Sequence, residues 1–126
     1  MAAVITGVTN DLAPKLIVDG SLGATSQNNV TGTTGSVYMV QIDATAGSPT
    51  TSEPACYVKI VDASSATVGT TSADMILYAP IGTTTSYVIN GGWAYSTALT
   101  FWAVTSAAVS GNVSPTSNVK VTIFSS

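Results

Sequence analysis

The chain has 126 residues and a mass of 12.7 kDa, a size that suits one domain. Three lysines and six carboxylates give a net charge of −3, and Lys15, Lys59 and Lys120 are too far apart to form the clustered cations that nucleic acid or an anionic membrane requires. Histidine is absent and cysteine occurs once, which excludes Ser/His and Cys/His nucleophile systems, structural zinc and any disulfide within the chain.

Charged residues make up only 7% of the chain against 45% apolar, whereas ordinary globular domains carry roughly 25% charged residues. The surface is therefore built from Ser, Thr, Gly, Asn and Ala, with little charge repulsion to keep copies apart, and points to life in an assembly. No run approaches the length of a membrane span. The start, Met-Ala-Ala-Val-Ile-Thr-Gly, lacks a basic region followed by an apolar one, so synthesis in a cytoplasm is expected.

In chain order, Val4-Ile5 and Leu16-Ile17-Val18 read as short strands that add to a sheet edge, either within the chain or on another subunit. The polar stretch from Ser21 to Gly35 between them and the rest reads as a long loop or a flexible tether. Residues 1–35 are accordingly expected to be an N-terminal arm or extended segment, and residues 36–126 a β-sandwich domain. Removing residues 1 to 20 is expected to weaken partner binding and leave the sandwich folded.

Strand-like runs then follow at Val37–Ile42, Tyr57–Val61, Met75–Tyr78, Ser86–Ile89, Leu99–Thr105 and Val119–Phe124, separated by segments rich in Gly, Pro, Asn, Ser and Thr. No segment has helical spacing. Evenly spaced short strands predict an all-β, single-domain antiparallel sandwich, jelly-roll-like, of about seven or eight strands. Alternation places Val119, Val121 and Ile123 on one face of the last run, and Cys56, Val58 and Ile60 on the core face of theirs, with Tyr57, Lys59 and Val61 opposite. Cys56 reads as a buried thiol. The run Leu99-Thr-Phe-Trp-Ala-Val104 is apolar on both faces, so its Trp102 and Val104 face needs cover from another sheet, an arm or a neighbour. Asn90-Gly91 predicts a tight turn.

The carboxylates Asp11, Asp19, Asp43, Glu53, Asp62 and Asp74 stand singly, without the Asp-x-Asp-x-Asp-Gly spacing of a calcium loop. They read as solvating groups of turns and strand ends, with Asp43 and Asp62 opening Asx-type turns. No catalytic residue, cofactor site or metal site is assigned. Trp93, Tyr95, Phe101 and Trp102 concentrate aromatic character within ten residues. They are read as core, as a subunit interface, or as a sugar-stacking platform.

From Val37 onward, the order Tyr57-Val-Lys-Ile-Val-Asp62, Ala66-Thr-Val-Gly-Thr70, Tyr78-Ala-Pro-Ile-Gly82, Gly91-Gly-Trp93 and Ser96-Thr-Ala-Leu-Thr-Phe-Trp-Ala-Val104 resembles small head-decoration, or cement, proteins of tailed phages, including phages of cyanobacteria and other aquatic bacteria. The resemblance covers about the last 90 residues. It implies a non-enzymatic virion protein on the outer surface of the capsid, a homotrimer, with the major capsid protein as partner and neither nucleic acid nor membrane. The expected contact residues are Val4, Ile5, Leu16, Trp93, Tyr95 and Trp102. The alternative is a tail, baseplate or fibre-associated carbohydrate-binding sandwich.

Overall fold

Alternating β-branched and polar residues, punctuated by Gly- and Pro-containing turns, set the local geometry. The computed structural model describes residues 3–7 and 15–126; residues 1, 2 and 8–14, which belong to the expected arm and include Asp11, lie outside the described residues. Eight strands are formed: β1 (Ala3–Gly7), β2 (Lys15–Leu22), β3 (Gly35–Asp43), β4 (Ala55–Asp62), β5 (Met75–Pro80), β6 (Thr84–Tyr95), β7 (Leu99–Val104) and β8 (Val119–Ser125). No helix occurs among the described residues, and none is long and apolar enough to cross a membrane.

The strands make a five-stranded sheet in the order β1-β2-β8-β3-β6 and a three-stranded sheet in the order β5-β4-β7. Every pairing is antiparallel. The segment 23–30 runs along the outer edge of β7, where Gln27 bridges Phe101 in the antiparallel sense. Taken with that segment, the chain pairs its two ends towards its middle: β2 with β8, 23–30 with β7, β3 with β6, and β4 with β5. A long hairpin rolled up in this way into two facing sheets is jelly-roll connectivity.

The core lies between the sheets. Ile17, Val37, Val40, Ile42, Val121 and Ile123 of the larger sheet meet Cys56, Val58, Ile60, Leu99 and Phe101 of the smaller one, all essentially sealed from solvent. The alternation expected for β4 and β8 is the one found: Lys120 and Thr122 point away from the core while their neighbours enter it. At about 25 cal/mol for each Å² of apolar area removed from water, this interlayer packing is the main favourable contribution to the fold.

Residues 15–35 belong to the same layers. β2 is an interior strand, flanked by β1 and β8, and sends Ile17 and Leu22 into the core. The stretch after it is neither a free loop nor a tether. Its backbone bonds to β7 through Ala103 N to Gly23 O (2.8 Å), Gln27 N to Phe101 O (2.8 Å) and Val30 N to Leu99 O (2.8 Å). A buried strand cannot leave its edge amides unpaired, so a polar segment of irregular backbone supplies the partners that a regular strand would otherwise give.

Asn90-Gly91 does not end a strand. Val37 pairs with Trp93 and Met39 with Val88, so Ile89, Asn90, Gly91 and Gly92 together oppose Tyr38 alone in a wide bulge. Gly91 and Gly92 adopt φ of 76° and 79°. β6 resumes beyond the bulge, where Trp93 and Tyr95 pack on the core opposite the start of β3.

Candidate interaction surface

The six residues expected to make contacts separate into two groups. Tyr95 and Trp102 are inside the chain. The Tyr95 hydroxyl lies 2.6 Å from Ser125 Oγ and beside the Cα of Gly35, where a side chain would collide with it at 2.5 Å. Trp102 and Val104 occupy the outer face of the small sheet, where Ala24, Ala63, Ala66, Val68 and Ala73 cover them. The cover required by the two-faced apolar run therefore comes from the chain's own connections. Trp93 is half-buried at the core margin, its ring 6.2 Å from that of Tyr95.

Val4, Ile5 and Leu16 remain accessible. Val4 and Ile5 are 58% and 41% exposed. Leu16 lies on the outer face of the five-stranded sheet, in a row fixed by register: Thr6 beside Leu16, Leu16 beside Phe124, Phe124 beside Met39, Met39 beside Val88. The row crosses all five strands, and its end residue Val88 is 77% exposed. The next row reads Val4, Val18, Thr122, Gln41 and Ser86, and beyond it stand Lys120 and Asp43 as an opposite-charge neighbour pair. Outward faces of sandwich strands are normally polar. Here half of that face is apolar and the remainder is almost uncharged.

Met39, Val88 and Phe124 were not singled out in the sequence. Each is an isolated apolar residue on the polar side of its strand, and only the cross-strand register brings them together. Phe124 carried the one available signal, since it follows Lys120 and Thr122 on the wet face of β8.

The described carboxylates accept backbone N–H groups. Asp43 Oδ1 accepts the Thr45 N–H at 3.0 Å, the Asx turn expected of it, and hydrogen bonds from Thr45 hold its pKa below the ordinary 3.8. Asp62 departs from expectation. It opens no turn of its own; its carboxylate accepts N–H groups of Ser96 (2.8 Å), Thr97 (2.8 Å) and Ala98 (3.3 Å) across the sheet. Those bonds lower its pKa. Asp74 in turn accepts the Asp62 N–H at 2.8 Å. No group of three or more metal-ligating side chains occurs among the described residues.

Two clefts flank these surfaces. One, of about 400 Å³ at the loop end, is lined by Ser48, Thr50, Ser52, Thr116 and Ser117 around Glu53, whose carboxylate accepts the Thr116 N–H at 2.6 Å. The other, of about 310 Å³, lies between β1 and the 23–30 segment and is lined by Ala3, Ile5, Gln27, Asn28, Asn29 and Val30. Comparison of the chain with protein-family models, with curated proteins and with solved structures finds no match to any of them.

Proposed function

We propose that the chain is a non-enzymatic virion structural protein, a decoration or cement subunit that binds the outer surface of a phage head by contacting neighbouring major capsid subunits and copies of itself. The observation that carries this reading is the apolar row Leu16, Phe124, Met39 and Val88 across a nearly uncharged outer sheet face. An apolar sheet face of this kind suits docking against another protein rather than enclosing a small molecule. Attachment by several copies gives avidity without strong single contacts. The resemblance of the chain from Val37 onward to head-decoration proteins supports the same assignment.

The test is co-sedimentation with empty capsids that lack the protein. Saturation at a fixed ratio is expected. Val88→Asp, at a position too exposed to matter for folding, is expected to weaken binding about tenfold, which corresponds to about 1.4 kcal/mol. A chain that ignores capsids overturns the reading.

The jelly roll recurs in lectins as well as viral shells, and the hydroxyl-lined cleft around Glu53 favours a second reading: a carbohydrate-binding module on a tail or fibre. Trp93 and Trp102, which a sugar-stacking platform would use, do not line that cleft. Binding of host glycans that is lost in Glu53→Gln, together with indifference to capsids, would select this second reading.

A further inference from the structure

β1 is an edge strand. Its partner is β2 alone, and no backbone hydrogen bond from the described residues reaches its other side. Natural sheets guard such edges with lysine, proline, bulges or a covering loop, because an open row of N–H and C=O groups is a template for another strand. The sequence Ala3-Val-Ile-Thr-Gly7 has no lysine or proline, and no bulge interrupts its register with β2. β6, at the opposite edge, has the wide bulge opposite Tyr38.

The same five residues read alike in both directions by shape: small, β-branched, isoleucine, β-branched, small. Antiparallel pairing of the strand with itself about Ile5 sets Ala3 against Gly7, Val4 against Thr6, and Ile5 against Ile5. Each pair matches in size, and β-branched cross-strand pairs are the favoured ones. A two-fold contact pairs residue i with j and j with i, so only the central residue faces its own copy and a charge there would repel itself. This strand carries no charge.

The side chains also fit. Ala3 and Ile5 point to the core side of β1, where they line the cleft of about 310 Å³ against Gln27 to Val30. A strand added outside β1 would lay its own isoleucine beside Ile5, over that cleft. On the other face, Val4 and Thr6 extend the rows of the outer surface.

We infer that β1 pairs antiparallel with β1 of a second copy about a two-fold axis through Ile5, joining the two five-stranded sheets into one. The contact is isologous and closes at two copies, against the three implied by the resemblance to decoration proteins. It does not rest on the capsid reading: a dimer that ignores capsids would sink that reading alone, and a capsid-binding monomer would sink this one alone.

Sedimentation of the purified chain is expected to give twice the 12.7 kDa chain mass. Ile5→Lys and Ile5→Glu, each placing like charges face to face, are expected to sediment as monomers when separate and as a dimer when mixed in equal amounts. A monomeric or trimeric wild type, a single variant that stays dimeric, or a mixture that stays monomeric overturns the inference. Should either charged variant fail to fold, Ile5→Cys provides the second measurement. Mild oxidation is expected to cross-link it into a dimer that the wild type, with its one cysteine buried, does not form; absence of the cross-link overturns the inference equally.

Discussion

Lys59 lies on β4 with its long side chain pressed against the outer face of the small sheet, between Ile76 and Trp102 by register. Its Nζ donates to the Ala108 carbonyl at 2.6 Å, a neutral acceptor that offsets only part of the cost of burying an ammonium. Burial pushes its pKa below the ordinary 10.5. Between the lowered value and 10.5 the unfolded chain binds more protons than the folded one, so this residue makes stability rise with pH across that interval. Lys59→Met keeps the length and removes the charge. It is expected to raise the melting temperature near neutral pH by a few degrees, equivalent to about 1 kcal/mol, and to abolish that upward slope in denaturation measured against pH. Gly92 is constrained in a different way. Its φ of 79° is one that L side chains rarely adopt, and a Cβ there would meet Tyr38 Cε1 at 2.8 Å. Gly92→Ala is expected to cost about 1–3 kcal/mol in chemical denaturation, whereas Gly91→Ala, with open space around it, should show the φ penalty alone.

Among the elements, β7 depends most on its neighbours, being buried along its whole length. The 23–30 segment satisfies its edge, and the Asp62 carboxylate gathers the Ser96, Thr97 and Ala98 amides of the β6–β7 connection. Because these bonds depress the folded-state pKa of Asp62 below 3.8, its contribution is fully present above that value and is lost as pH falls through the lowered one. Asp62→Asn is therefore expected to melt lower than wild type at neutral pH and to lose less on acidification, with the two melting curves converging as the pH falls below the ordinary 3.8. The strands themselves were readable from the sequence because alternation and β-branching act locally: all seven runs correspond to strands, and Val4-Ile5 to an eighth. The 23–30 segment was not readable. Its role depends on what β7 needs, and Ser-Gln-Asn-Asn-Val carries no periodicity to announce it.

For the whole molecule, the position of β2 changes what a truncation would do. Deleting residues 1 to 20 removes Ile17 and most of an interior strand, so it is expected to abolish cooperative unfolding instead of leaving the sandwich folded. Deleting residues 1 to 7 removes only the edge strand β1 and should leave a folded domain, destabilised by roughly 1–3 kcal/mol in a thermal melt. Of the expected contact residues, Val4, Ile5 and Leu16 lie at the surface, whereas Tyr95 and Trp102 lie inside. Aromatic size alone does not say which side of a strand a ring occupies, and Tyr95 and Trp102 proved to be the largest rings the interior had to seal. The apolar row of Met39, Phe124 and Val88 is a property of three strands in register and belongs to no single stretch of chain.

The rolled connectivity also governs the order in which the protein can be made. β8 lies between β2 and β3, and Lys15 finds its partner at Ser125, so the larger sheet has a gap at its centre until β8 has been synthesised. Such long closures rank among the slow folding reactions, and synthesis at about 5–20 residues per second leaves the inner edges of β2 and β3 open for seconds. During that interval the nascent chain offers a slot shaped for a strand. A β8 from a neighbouring nascent chain has the same register partners, so exchange of this strand between chains is the misassembly the topology predicts.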